Sequence, residues 1–391
     1  MSSISETRIS TPPLLETLGW GLFLATSWTW CIGMFLPSML IRDHGPLAWF
    51  IFTIPNAVGA AALGWVIPNA ARATAFVQKH MPALRLFGWV TIAFQCYAAG
   101  WIFTGFSADA LIPNVITLLS AVTAGLFART VIQLLSLTLV IYTLSVTIGV
   151  LMGTRGELHL PELTESHDVA GIWLLSPVIV FGFMFCPYLD LTFLRVPRRL
   201  NSPAATRISF TAGFLLFFVA MIVISGLVGT IPHTWSTGAA RLFAIHACAQ
   251  LGFTIAVHIR ELGLNPDRPK GQRTETARLA GVLVLSVVIA IGLSFLNEHR
   301  LHGLDWREIV YRCFMCFYGL LFPAYAYLCM WPAADGHTGL RGPQGQRKLR
   351  VLITACLLAC PFYYVGFIAG QEAWILAGLG IVLTSRLLTR R

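Results

Sequence analysis

Charge is what this sequence has least of. Only 11% of its 391 residues are Asp, Glu, Lys or Arg, against 56% hydrophobic, which excludes a soluble globular domain as the main body of the chain. Acidic residues are the scarcer sign, 17 against 27 basic, giving a net charge of +10. An excess of that sign can mark a nucleic-acid binder, but such proteins gather it in a patch or stripe. Here Lys and Arg sit at alternating ends of apolar runs, so a nucleic-acid partner is excluded. Cysteines outside apolar runs are lacking too. All nine fall within apolar stretches, which argues against a disulfide framework and an exposed metal cluster. Cys313 and Cys316 form a CxxC without a second pair, on a predicted membrane helix, and are read as packing residues. The opening MSSISETRISTPP has no short apolar core with a small-residue cleavage site, so residues 1–13 read as a cytoplasmic tail rather than a signal peptide.

Long apolar runs are what the chain does have. A window of about 19 residues gives candidate spans at 14–41, 46–70, 85–107, 109–128, 130–152, 169–194, 208–230, 238–259, 278–297, 307–330, 350–369 and 371–388. With the N-terminus cytoplasmic, most of the 27 basic residues fall on the cytoplasmic side, Lys79, Arg199, Lys270 and Lys348 among them, and Glu162 falls outside. Positive charge is retained inside during insertion, which predicts both termini in the cytoplasm. The run ELHLPELTESHD, with His159 and His167, reads as a solvated outside loop. The expected class is an all-α, multi-pass protein of the cytoplasmic (inner) membrane with about twelve transmembrane helices.

Two of the runs are interrupted. The first carries Gly33 and Pro37 near its middle, in SWTWCIGMFLPSMLIRDHG (27–45); the sixth carries Pro187 and Asp190, in FGFMFCPYLDLTFLRVPRR (181–199). A proline inside a helix frees a carbonyl and clashes with the preceding turn. In hydrocarbon the freed groups need protein, water or ligand. Paired interrupted spans half a chain apart point to a transporter binding site, and they predict non-helical backbone around Gly33–Pro37 and Gly182–Pro187.

The count suggests two repeats of five spans, then two more. Spans three and eight open alike, Arg85-Leu86-Phe87 and Arg241-Leu242-Phe243, and each then carries a mid-span glutamine, Gln95 or Gln250. The expected organisation is a first five-helix repeat at 14–152, an extracytoplasmic loop at 153–168 and a second, inverted repeat at 169–330. A cytoplasmic loop at 331–349 precedes two additional helices and a basic C-terminus at 350–391.

Candidate site residues follow from chemistry. Asp190 is an ionisable group inside a span, which is functional by default; the competing role is a helix cap, near Arg195. Trp28 and Trp30 flank the first break and could offer flat faces to a planar or cationic ligand. Gln95 and Gln250 each donate and accept, suiting a heterocycle or amide, or an interhelical contact. His246 on span eight is a candidate for proton coupling. Arg129, Arg241 and Arg312 read as span-end or snorkelling residues, with Arg312 one turn from Glu308 in an i, i+4 pair.

On these features the chain resembles the amino acid–polyamine–cation superfamily, transporters with the LeuT-type five-plus-five inverted repeat. Within it, PYLDLTFLR (187–195) is similar to the Asn/Asp-x-x-Asp-x-x-Arg signature on span six of the nucleobase–cation symporters, the purine–cytosine permease group, although Asp190 and Arg195 are five apart here. The resemblance implies a solute held between spans one, three, six and eight, with Na⁺ or H⁺ as coupling ion and no other cofactor. It assigns substrate contact to Trp28, Trp30, Gly33, Gln95, Asp190 and Gln250. Sodium in that fold takes hydroxyls from span eight, where this chain offers Thr254 without an adjacent Ser or Thr. The expected function is an ion-coupled permease for a small polar or heteroaromatic solute, such as a nucleobase or an amino-acid-like compound, not an enzyme. Two alternatives stand beside it: a transporter-like sensor or scaffold, and a membrane-embedded transferase. For the transferase, no compact His/Asp/Arg constellation is found.

Overall fold

The computed structural model describes residues 12–29, 31–105, 108–154, 169–227, 237–263, 273–296, 300–330 and 342–389. It is about 91% helical. The only strands among the described residues are β1 (Arg300–Leu301) and β2 (Leu304–Asp305), a hairpin turned at His302 and Gly303, both at positive φ. Two consecutive left-handed residues make the tight turn that suits the twist of paired strands.

In chain order, the helices of the described residues group into segments, numbered from one. Segment one is α1 (Leu14–Trp28) with α2 (Cys31–His44), bent by 57°. Segments two to five are α3 (Leu47–Val66), α4 (Ala70–Gly105), α5 (Ala108–Phe127) and α6 (Val131–Thr154). Segment six is α7 (Val169–Phe185), a 3₁₀ turn at Cys186–Leu189, and α8 (Leu191–Leu200). Segment seven joins α9 (Pro203–Ala212) to α10 (Val219–Leu227) through a π-helical stretch. Segments eight and nine are α11 (Thr237–Glu261) and α12 (Arg273–Ser294). Segment ten is α13 (Trp306–Cys316) and α14 (Phe322–Tyr325) with π-helical turns after each; α15 (Gly342–Tyr363) and α16 (Ala373–Thr389) complete the chain.

Among the described residues, eight helices are long and apolar enough to cross a membrane, nine if the bent pair α1–α2 is one span; Leu111–Phe127, Gly281–Ser294 and Ala373–Thr389 are shorter apolar helices. Large apolar side chains such as Leu119, Ile132, Leu285 and Leu357 stand exposed on the outer faces. A surface of that kind has hydrocarbon, not water, as its solvent. The interior is aromatic: Phe23, Phe87, Phe94, Phe193 and Phe253 are fully buried.

Close helix pairs rest on glycine. A Cβ at Gly59 of α3 would lie 2.4 Å from the Phe183 carbonyl of α7, and one at Gly213 of segment seven 2.8 Å from the Gly21 carbonyl of α1. At Gly252 of α11 it would meet the Leu118 carbonyl of α5 at 2.6 Å, and at Gly100 of α4 the Ala290 Cβ of α12 at 2.7 Å. Without a side chain, backbones approach closely, which is how membrane helices gain packing energy in the absence of a hydrophobic drive between them.

Two sequence expectations are corrected. The first break lies elsewhere: Gly33 and Pro37 are helical within α2, and the chain leaves the helix at Thr29 (φ −78°, ψ 71°). The second starts within the expected stretch but runs past it: Pro187 does lie in the 3₁₀ turn that ends α7. In segment six, Gly182 belongs to α7 and the extended residue is Asp190 (φ −85°, ψ 113°), after the 3₁₀ turn that begins at Cys186. Proline marks a helix that tolerates a lost hydrogen bond, but the opening forms where side chains stand ready to replace several. Nor is 71–84 a loop between two spans: α4 continues through it, with Pro82 inside. Most of the outside loop, including Glu162, His159 and His167, and much of the 331–349 loop lie outside the described residues, as do Lys270 and residues 1–11.

Candidate functional site

The break in segment one strands carbonyls at the end of α1 and N–H groups at the start of α2. Both sets are met by mid-helix side chains. Gln250 of α11, with its amide turned to suit these acceptors, donates to the carbonyls of Thr26 and Thr29 at 3.1 and 3.0 Å. Its oxygen lies 3.1 Å from the Ser145 hydroxyl of α6, whose proton also has the Ile141 carbonyl at 2.9 Å as an acceptor. Gln95 of α4 accepts from the Cys31 N–H at 3.3 Å, and Tyr311 of α13 donates to the Cys31 carbonyl at 3.0 Å.

The break in segment six is organised by Asp190. Its Oδ1 accepts from the N–H and the hydroxyl of Thr192, both at 2.7 Å, which makes it the N-cap of α8. Its Oδ2 is fully buried without a hydrogen bond and faces Nε2 of His258, on α11, at 3.9 Å. Arg195, expected near Asp190, instead pairs with Glu261 at the end of α11, joined there by Arg198 at 3.6 Å.

One helix therefore serves both openings. His246, Gln250, Thr254 and His258 are spaced by four along α11 and all are buried, a single polar ridge in an apolar helix. Gln250 meets the first break and His258 the second, about 12 Å apart along the axis at 1.5 Å per residue. Among the described residues, buried polar atoms without a partner include Thr26 Oγ1, Gln95 Nε2, Asp190 Oδ2, Thr254 Oγ1 and His246 Nδ1 on segments one, three, six and eight, and others on Thr53, Asn114, Thr206 and Arg307 of segments two, four, seven and ten. Such atoms are rare because each forfeits its hydration with nothing in return.

The remaining sequence candidates separate. Trp28 is enclosed: its indole N–H donates to Asn56 of α3 at 2.6 Å, and its ring lies 5.0 Å from that of Phe193. Trp30 lies outside the described residues. Gly33 faces Ile222, and a Cβ there would sit 3.6 Å from it, so no close approach requires the glycine. Thr254 is buried on the ridge between the two breaks, and His246 lies beyond Gln250, its ring 6.3 Å from Phe243. Sequence reasoning missed His258, although its i, i+4 relation to Thr254 was a usable signal. It also missed Ser145 and Tyr311, for which the sequence offers none.

A charge cluster lies at the far end of α2. Glu308 accepts from Arg42 at 2.9 and 2.6 Å and from Arg312 at 3.0 and 2.8 Å, while Arg312 also reaches Asp43 and, at 2.8 Å, the Phe367 carbonyl. The i, i+4 pair Glu308–Arg312 is thus part of a four-residue network joining segments one and ten. Below it, a small apolar cavity of about 60 Å³ lies between α2, α7, segment ten and α15, lined by Leu36, Leu40, Gly182, Phe183, Tyr318 and Tyr363 among others.

These features define an integral, multi-pass, all-α membrane protein with two broken helices at its centre. No protein-family model matches the chain, and no curated protein is significantly similar to it.

Proposed function

We propose that the chain is an ion-coupled secondary transporter of a small polar or heteroaromatic solute, working by alternating access across twelve spans built as a five-plus-five inverted repeat. The observation that carries this reading is the pair of helix breaks at Thr29 and Asp190, both served by the ridge of α11. Discontinuous helices with free backbone and unpartnered side chains at mid-membrane are what a transporter uses to hold solute and ion.

The glycine contacts support the repeat. If segment n corresponds to segment n+5, the two–six contact at Gly59 maps onto the seven–one contact at Gly213. The eight–four contact at Gly252 likewise maps onto the three–nine contact at Gly100. Each pair is related by exchange of the two halves, as inverted repeats require.

Orientation is supported by charge. Contacts of His80 with Tyr325, Phe87 with His258, Arg195 with Glu261 and Arg386 with the Tyr327 carbonyl bring Lys79, Arg195, Arg198, Arg199 and Arg386 to one end of the bundle. Asp43, Asp305 and Glu308 lie at the other, where they neutralise Arg42, Arg307 and Arg312. The basic end is the cytoplasmic one by the positive-inside rule, which puts both termini inside and the Arg42–Glu308 cluster over the outer halves of segments one and ten.

The test is a thermal-shift screen of purified protein with nucleobases, amino acids and quaternary amines, each with and without Na⁺. A solute bound only by the folded state raises the melting temperature, and uptake into proteoliposomes of any that does establishes transport. A sensor with the same architecture is the second reading, favoured by the full engagement of Gln250 with backbone and Ser145. Ligand stabilisation without uptake selects it.

A further inference from the structure

Asp190 and His258 are two ionisable side chains that face each other with exposures of 0% and 2%. Each of the other titratable or charged groups around them has its own partner. The Cys186 thiol, on the turn before Asp190, donates to the Tyr318 carbonyl; the Tyr318 hydroxyl, from segment ten, is paired with Thr91 of α4 at 3.1 Å. Glu261 is taken by Arg195 and Arg198, and Arg260 donates to the Gly125 carbonyl of α5. From α4, Phe87 lies against the His258 ring, while Arg85 lines a surface recess with Lys79. From segment one the neighbour is Trp28, against Phe193. Apart from the Phe193 N–H in the first turn of α8, which also faces the Asp190 carboxylate, Asp190 Oδ2 and His258 Nε2 have only each other.

A buried carboxylate with an open lone pair is costly, and so is an unpaired buried imidazolium. The pair avoids both with one proton, held on Oδ2 beside a neutral imidazole or on Nε2 beside the carboxylate. In either form the net charge is zero and Oδ1 still caps α8 through Thr192. Losing that proton leaves a bare anion, and gaining another leaves a bare cation; each is tolerable only where water reaches the pair. Asp190 is also the residue at which α8 begins, and α8 is fastened to α11 by this pair and by Arg195–Glu261. Proton release therefore removes one of the two fastenings of α8 to α11 and leaves the Arg195–Glu261 pair to hold the other.

We propose that Asp190 and His258 form a proton-binding site whose occupancy controls how firmly α8 is docked on α11, which makes H⁺ the coupling ion of this chain. The coupling role rests on the transporter reading above; the proton site does not.

The experiment is infrared spectroscopy of the protein in phosphatidylethanolamine/phosphatidylglycerol nanodiscs, stepped through pH. A carboxylic-acid C=O band is expected that moves with ¹³C-labelled aspartate and vanishes in Asp190→Asn. In His258→Gln, where no imidazolium can stabilise the carboxylate, the band should persist to higher pH, by about tenfold or more in proton concentration. The isotope shift keeps the assignment secure if Asp190→Asn does not fold, and Thr192→Val, which removes a cap donor, should lower stability while leaving the band. Hydrogen exchange of the α8 amides, corrected for intrinsic rates, should rise as the band is lost in the wild type and stay level with pH in Asp190→Asn. Absence of both the aspartate carboxylic-acid band and an imidazolium band of labelled His258 across the pH range, or a midpoint unmoved by His258→Gln, overturns the site; exchange that ignores these bands overturns its control of α8. Solute stabilisation in the thermal-shift screen is independent of these readouts. A titrating pair without any stabilising solute would retain the proton site and remove the transporter reading, and the reverse result would do the opposite.

Discussion

The amide nitrogen of Gln250 lies 3.0 Å from the Thr29 carbonyl, so a side chain of α11 finishes the helix that α1 leaves open. In water those terminal carbonyls would be solvated; inside an apolar bundle Gln250 supplies them with a side-chain donor.

Gln250→Leu keeps the shape and removes the donor. Two buried carbonyls, Thr26 and Thr29, then lose their partner, at about 1–3 kcal/mol for each group left unsatisfied. Gln95→Leu removes a single, longer bond at 3.3 Å and should cost less. Denaturant or thermal unfolding of both variants measures the order. Equal losses, or a larger one for Gln95→Leu, would show that the first break is held by something other than α11.

The charge network at the end of α2 gives a second ordering. Glu308 and Arg312 are nearly enclosed, with side-chain exposures of 8% and 9%, whereas Arg42 is 45% exposed. Removing one partner of an enclosed pair costs up to about 3–5 kcal/mol, reduced here because Arg312 keeps Asp43 and the Phe367 carbonyl; an exposed partner is worth about 0–1 kcal/mol. Glu308→Gln should therefore destabilise more than Arg42→Gln, with only the Arg42 effect fading in high salt. Stability measured in low and high salt checks both statements.

The helical segments were legible because hydrocarbon demands long apolar runs, and the described helices overlap all twelve runs. Element ends were less so. Residues 71–84 carry Arg72, Lys79 and Pro82 and resemble a loop, yet the extended α4 exposes the polar side chains beyond the apolar region and needs no turn there. The breaks were legible as segments but not as residues. Proline is visible in one line of sequence, while the residues that fill the opening, Ser145, Gln250 and Tyr311, come from three other segments. Asp190 was legible as a cap-or-site residue, and the structure gives one oxygen to the cap and leaves the other facing His258. Arg195 misled because five residues in sequence suggested a pair, and Glu261 is the partner that tertiary packing supplies.

Glycine offers a contrast between a residue the sequence singled out and one it did not. A Cβ at Gly33 would meet Ile222 at 3.6 Å, an ordinary contact, while one at Gly59 would lie 2.4 Å from the Phe183 carbonyl, where only backbone movement makes room. Gly33→Ala should be nearly neutral and should restrict the unfolded chain slightly. Gly59→Ala should cost about 1–3 kcal/mol as an overpacked contact between α3 and α7. Melting temperatures of the two purified variants decide it. A tolerated Gly59→Ala would mean that these helices do not pack backbone to backbone.

The proposed orientation is open to a direct test from the two ends of the bundle. Arg199, at the end of α8, and His302, in the hairpin before α13, are both exposed and far apart along the membrane normal in the proposed arrangement. The nine native cysteines, of which Cys313 and Cys360 are exposed, must first be replaced. On that background, Arg199→Cys should react with a membrane-impermeant maleimide only after the cells are opened, and His302→Cys should react in intact cells. Both substitutions lie at surfaces away from the two breaks, so folding should be retained, and a melting curve verifies this. Reaction of both from the same side would place the ends of segments six and ten on one face. Segment ten could not then be the inverted counterpart of segment five, and the five-plus-five repeat would fall together with the orientation.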